Sequence, residues 1–272
     1  MFEPPILEQT SLLEIDDLEV HFGHVQALRG VNLRAARDEV LVLIGPNGAG
    51  KSTVLNAVVG LHKPSKGSVR VDGVDLTAKS PRDMVMAGVT LVPQGRRLFG
   101  SMSVRENLEM GAYTRDVRAD IARKIDQWAG FFPEIGQRLG MRASLLSGGQ
   151  QQIVAIIRGL MSEPRLLMMD EPSIGLAPVV VKRIGEEIKR LNRESGIGIV
   201  LVEQNVEFAL MVADRVAILS QGQVVHTAPP AALRDPALLA HHFFGNVDAS
   251  CLPERSLSQL GPHLTAPATE PK

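Results

Sequence analysis

The stretch Gly45-Pro46-Asn47-Gly48-Ala49-Gly50-Lys51-Ser52-Thr53 constrains this chain more than any other. Two glycines separated by four residues, then Lys and Ser, form a phosphate-binding pattern. Just before it, Val40-Leu41-Val42-Leu43-Ile44 is a short apolar run that predicts a buried parallel strand. Just after it, Thr53 to Val59 predicts the start of a helix. Gly48 and Gly50 let the chain curl with its N–H groups inward and no Cβ in the way of a phosphate. The helix N-terminus adds partial positive charge. Lys51 is placed to reach the β- and γ-phosphates and the Ser52 hydroxyl to ligate Mg²⁺. An ordinary glycine turn does not need Lys and Ser in this register behind a strand. The motif alone predicts binding of a nucleoside triphosphate.

Composition sets the limits around this motif. The chain has 272 residues, 44% hydrophobic and 22% charged, enough for one large or two small domains with a sizeable core. A net charge of −1 gives no global pull toward nucleic acid or anionic lipid. Cys251 is the only cysteine, so no internal disulfide can form. Met1-Phe2-Glu3-Pro4-Pro5 does not read as a signal peptide. No apolar run approaches the ~18–20 residues that cross a bilayer. The expectation is a cytosolic protein, or one held at a membrane through a partner.

Periodicity outlines the rest. Residues 1–11 read as a leader. Leu12–His21 and Gln26–Arg34 predict an antiparallel opening, with Phe22-Gly23 between the two strands. Gly67 to Val71 predicts a strand ending in the Asp72-Gly73 turn. Pro81–Ala87 predicts a helix with Pro in its first turn, and Gly88–Pro93 a buried strand ending at Gln94. From Ser103 to about Leu146 the period is mostly helical, with Ile121, Ile125 and Trp128 on one buried face. This stretch reads as a helical insertion. Strands return at Arg165–Asp170, Ile197–Glu203, Arg215–Leu219 and Gln223–His226, with helices at Val179–Glu194 and Val206–Val212. Alternating strands and helices predict an α/β fold whose largely parallel sheet carries helices on both faces. Residues 246–272, rich in Pro and Ser, are expected to be a disordered tail.

Two further stretches carry chemistry. Leu166-Leu167-Met168-Met169 delivers Asp170 and Glu171 at a strand's C-terminal end, where open α/β sheets place ligands. Asp170 would hold Mg²⁺ through water. Glu171 would polarise the water that attacks the γ-phosphate. Leu146-Ser147-Gly148-Gly149-Gln150 precedes a helix with Ile153, Ile156, Ile157 and Leu160 on one stripe. Ser147 and the two glycines therefore sit at a helix N-terminus, a second anion site. Alone, Ser-Gly-Gly is a plain capping turn; its place just before the acidic strand gives it more weight.

Leu146–Gln150 resembles the signature motif of ABC ATPases. With the phosphate loop, Gln94 and Asp170-Glu171, it follows the family's order over roughly residues 12–245. The resemblance implies a P-loop NTPase of ABC type. Its catalytic core would be 12–94 and 160–245, with an antiparallel β subdomain, and its helical subdomain 95–159. It implies head-to-tail dimers. ATP would lie between residues 45–53 of one subunit and Ser147, Gly148, Gly149 and Gln150 of the other. Phe22 matches an aromatic that stacks on adenine, with core packing as the alternative. Gln94 matches a glutamine that touches Mg²⁺ and the attacking water. Gln204 stands where the family has a catalytic histidine, and Ala177 where it has an aspartate.

These two departures, with Gln94-Gly95-Arg96-Arg97-Leu98-Phe99, resemble the ATPases of branched-chain amino-acid importers. That class implies two different ATPases, two membrane permease subunits and a periplasmic solute-binding protein, on the cytoplasmic face of the inner membrane. A heterodimer is then expected, with a homodimer as the alternative. Export, lipid-related transport, and a soluble ABC protein of translation or DNA repair are rival readings. The soluble kind usually carries two cassettes or a long coiled-coil insertion, and this chain has neither. No nucleic-acid partner is expected. His241-His242 reads as solvated, and Arg96 and Arg97 as surface or a partner contact.

Overall fold

A computed structural model describes residues 11–113 and 120–234. The leader to residue 10, the tail after 245 and His241-His242 lie outside them. Among the described residues, ten strands form two sheets. β1 (Ser11–Phe22), β2 (Val25–Ala36), β4 (Lys66–Val71) and β5 (Val74–Asp75) make an antiparallel sheet in the order β2-β1-β4-β5. Ser11, assigned above to the leader, is already part of β1, paired with Ala36.

The second sheet holds β3 (Val40–Ile44), β6 (Val89–Val92), β7 (Leu166–Asp170), β8 (Gly198–Glu203), β9 (Arg215–Ser220) and β10 (Gln223–Ala228). Its order is β10-β9-β3-β8-β7-β6, parallel except for the terminal β10 hairpin. Strand alternation divides its side chains between two cores. Val40, Val42, Ile44, Leu167, Met169, Ile199 and Leu201 face one; Leu41, Leu43, Leu166, Met168, Val200 and Val202 face the other. Both faces are dry, so these strands read as continuous apolar runs rather than alternating ones. Each fully buried aliphatic side chain stabilises the fold by roughly 1.5–3 kcal/mol.

The second core also takes in the antiparallel sheet, α1 (Lys51–Val58) and, through Met84, α2 (Pro81–Met86). The first is covered by α3 (Val104–Gly111), α4 (Ile121–Phe131), α5 (Pro133–Gly136), α6 (Gly148–Leu160), α7 (Pro178–Ser195) and α8 (Val206–Val212). Ile125 and Trp128 are buried in it and Ile121 packs against it, as their spacing predicts. Lys124 breaks that pattern: it is buried beside them, and its Nζ pairs with Glu163 Oε2 at 2.9 Å. No described helix is long and apolar enough to cross a membrane.

Candidate nucleotide site

The phosphate loop begins where β3 ends. Gly50 caps α1 with φ 103°, so the helix starts at Lys51, two residues earlier than apolarity suggested. A Cβ at Gly50 would lie 2.8 Å from Leu28 Cδ2 and 3.0 Å from Ala27 O, so only glycine serves this close left-handed turn. A Cβ at Gly45 would lie 2.1 Å from Leu219 O on the next strand. The loop is braced from outside. Ala49 N donates to Pro46 O at 3.2 Å, and Gly222 N in the β9–β10 turn donates to Ala49 O at 3.0 Å. Asn47 and Gly48 stay exposed at its tip, while Pro46, Ser52 and Thr53 are half-buried.

Lys51 is 5% exposed, and its Nζ donates to Gly45 O at 2.8 Å and Pro46 O at 3.2 Å. Burial lowers its pKa; Glu171, Asp170 and Glu203 pull it back up. The lysine therefore sits over the loop with three carboxylates in electrostatic reach.

The ends of three parallel strands bring the other groups together. Ser52 Oγ donates to Asp170 Oδ1 at 3.0 Å, and Gln94 Nε2 donates to Glu171 Oε2 at 2.8 Å. Burial raises the Asp170 pKa, while the Ser52 bond, Lys51 and Arg97 lower it. A hydroxyl, a carboxylate and an amide oxygen form a hard-oxygen donor set that fits Mg²⁺. Among the described residues no three His, Cys, Asp or Glu side chains gather as a metal site. Mg²⁺ needs no such cage when phosphates supply the remaining ligands. Glu171 adopts φ 45°, a left-handed conformation costing ~1–2 kcal/mol in a residue with a Cβ. Its N–H donates to Val202 O at 3.0 Å, which extends the β7–β8 pairing through the strained residue.

The Ser-Gly-Gly turn lies beside other residues. Ser147 caps α6 in a reciprocal box: Gln150 N donates to Ser147 Oγ at 3.4 Å and Ser147 N to Gln150 Oε1 at 3.1 Å. A Cβ at Gly149 would strike Val180 Cγ1 at 2.4 Å, so this glycine is needed for α6 to approach α7. One at Gly148 would lie 3.3 Å from Arg96 Nη2 and from Leu176 Cδ2. Phe22 is 46% exposed, edge-on to the His62 ring with centroids 4.9 Å apart, so core packing does not explain it. Arg96 is not simply solvated surface: it is half-buried at φ 65°, and Arg158 Nη2 donates to its carbonyl at 3.0 Å. Arg97, exposed at φ 46°, receives a 2.8 Å bond from Arg158 Nη1 on its carbonyl.

Glu203 and Ser173 escaped the sequence reading. Glu203 is 1% exposed at the end of β8, and both its oxygens accept backbone N–H groups. Its signal was a lone acid closing an otherwise apolar strand. A concavity of about 630 Å³ opens between Glu203, the 171–178 loop and α8. Ala177 is the N-cap of α7 and forms no side-chain cap bond.

Residues 28–174 match the model of the ABC transporter family. The chain belongs to that family. This ABC ATPase is 40% identical to the high-affinity branched-chain amino acid transport ATP-binding protein BraG of Pseudomonas aeruginosa, over 83% of this chain and 96% of BraG. It is 34% identical to the sn-glycerol-3-phosphate import ATP-binding protein UgpC 2 of Rhizobium johnstonii, over 92% and 72%. An ABC transporter cassette solved in its ADP conformation superposes with a TM-score of 0.75 at 27% identity, covering 80% of this chain and 91% of that one. The ABC ATPase fold read from the motifs is thus the fold observed: a mainly parallel core sheet, an antiparallel β sheet and a helical region.

Proposed function

We propose that this ABC ATPase is the ATP-hydrolysing subunit of an importer for branched-chain amino acids or related small solutes. The observation that carries this reading is the 40% identity to BraG across 96% of BraG's length. Gln204 and the Ser173–Pro178 segment, which single out the same branch in the sequence, support it. The weaker identity to a glycerol-phosphate import ATP-binding protein supports import in general.

In this reading residues 45–53 cradle the triphosphate and Lys51 neutralises its β- and γ-oxygens. Ser52, Asp170 and Gln94 would hold Mg²⁺, which supplies charge neutralisation on the phosphates. Glu171 orients the attacking water, and Gln94 and Gln204 support it from the flanking strand ends. Phe22 stacks on the adenine. Ser147, Gly148, Gly149 and Gln150 close the site of a second, homologous ATPase. Residues 12–94 and 160–245 act as the catalytic core and 95–159 as the helical subdomain. The pair docks on two membrane permease subunits at the cytoplasmic face and serves a periplasmic solute-binding protein indirectly.

The test is to isolate the complex from native membranes, reconstitute it in vesicles and follow ATP-driven uptake. The expected result is uptake of leucine-type amino acids. Uptake of glycerol 3-phosphate but no amino acid would overturn the solute class. Co-isolation with ribosomes or DNA and no permease would overturn the importer.

A further inference from the structure

We propose that Glu203 is a positioning residue for ATP hydrolysis, whose two carboxylate oxygens lock the loop carrying Glu171 to the turn carrying Gln204. Ser173 N donates to Oε1 at 2.9 Å, and Asn205 N donates to Oε2 at 3.3 Å. Ser173 lies two residues beyond Glu171, and Gln204 lies between Glu203 and Asn205. One rigid group therefore spans two loops that leave neighbouring parallel strands, β7 and β8. The strand beneath it is fully buried. Packing alone would be served better by an apolar residue there, since a buried carboxylate carries a large desolvation cost. Two backbone donors are the compensation, and both belong to the site's own loops.

The charged groups facing Glu203 come from each surrounding element. Glu171 lies on the adjoining loop and Lys51 on α1, while Asp170 at the end of β7 pairs with Val202 rather than with Glu203. Lys182 on α7 and Glu207 on α8 line the same concavity. β3, on the other side, contributes Ile44. Burial pushes the Glu203 carboxyl up to about 7, against the two Ser173 bonds and the Asn205 bond, which lower it. Protonation turns one acceptor oxygen into a donor that meets an N–H, so the lock loosens as pH falls through that value.

The assignment rests on Glu171 as the residue that orients the water, so the test carries both variants in the native membrane complex. In Glu203→Gln, one carboxylate oxygen is replaced by an NH₂ that cannot accept. The expected result is kcat reduced roughly 10–100-fold at pH 8, as for a small misplacement of a catalytic group. KM for ATP should stay near wild type, and the wild-type decline in rate between pH 8 and 6 should disappear. A second variant keeps the carboxylate. Ser173→Ala removes a hydrogen bond that lowers the Glu203 pKa, so the midpoint of the pH–rate profile should move upward. Wild-type kcat and pH profile in Glu203→Gln, or an unmoved midpoint in Ser173→Ala should Glu203→Gln not fold, would overturn the assignment. Normal hydrolysis by Glu171→Gln would instead remove Glu171 as the water-orienting group. Glu203 would then be judged on the pH profile alone.

Discussion

Gln94 Nε2 donates a 2.8 Å hydrogen bond to Glu171 Oε2, joining the end of β6 to the first residue after β7 across 77 positions of chain. Glu171 is thus held by a neutral donor on one side and strained backbone on the other. Its carboxylate should be the group that orients the attacking water. Glu171→Gln keeps the shape and the β7–β8 pairing but removes the base. Hydrolysis should fall by ~10²–10⁴-fold while ATP stays bound. Single-turnover kinetics with a nucleotide-binding measurement separates the two effects. Near-normal hydrolysis would show that Glu171 is not the base.

Lys51→Ala should weaken ATP binding by on the order of 10–100-fold, the value of charge-assisted hydrogen bonds to phosphate. The side chain is buried over the loop, with its ammonium on Gly45 O and Pro46 O. Titration with ATP checks this, and an affinity equal to wild type would refute the role.

Burial also makes stability depend on pH. The folded Glu203 carboxyl titrates at about 7, above its ordinary 4.5. A raised carboxyl pKa favours the protonated fold, so its contribution is fully present below about 4.5 and lost as pH rises to 7. The full change is on the order of 3 kcal/mol. Thermal melts should therefore show wild type losing more stability than Glu203→Gln between pH 5 and 8. Parallel curves would mean the carboxyl is not the titrating group. Under the proposed positioning role, hydrolysis needs the ionised form while stability prefers the neutral one.

Asn107, 0% exposed on α3, accepts from Phe99 N at 2.9 Å and donates to Phe99 O and Ser103 O, each at 3.0 Å. It fastens the segment following Gln94 to the helical region. Asn107→Ala leaves Phe99 N unpaired and takes one of two donors from Phe99 O and Ser103 O, which keep Met102 N and Asn107 N, and should cost about 2 kcal/mol. Urea unfolding measures it, and a change under about 0.5 kcal/mol would be the contrary result.

Gln204 can donate a hydrogen bond to a phosphate but cannot carry a proton near neutral pH. Ala177 stands where the family resemblance places an aspartate at the dimer seam, and it leaves α7 without a side-chain cap. Both point to a weakened site of its own. The chain alone should hydrolyse ATP slowly, and a Ser147 substitution should harm the native complex more than Gln204→Ala. Native mass measurement decides the stoichiometry, and two copies of this chain without a second ATPase would refute the heteromer.

By itself the sequence determined the groups that act through local backbone. The order of glycines before Lys51 and Ser52, the apolar run before Asp170-Glu171 and the Ser147–Gln150 box each involve residues within a few positions of one another. Their geometry follows from strand, turn and helix rules. Only the tertiary structure decided what depends on strand order. β3 sits between β8 and β9, and this places Glu203 beside Ile44 at the mouth of the phosphate loop and the Gly222 turn under Ala49. Nothing local to Val202-Glu203-Gln204 indicates that Ser173, 30 residues earlier, will supply its hydrogen bond. Helix α1 shows the same division. Its apolar pattern begins at Thr53, but its first turn was set by Gly50, which combines a left-handed φ with an approach to Leu28 and Ala27 too close for a Cβ. Periodicity reports which face a residue turns to the core. The partners it meets there depend on crossovers between distant strands, and those are selected by packing both faces of the sheet at once.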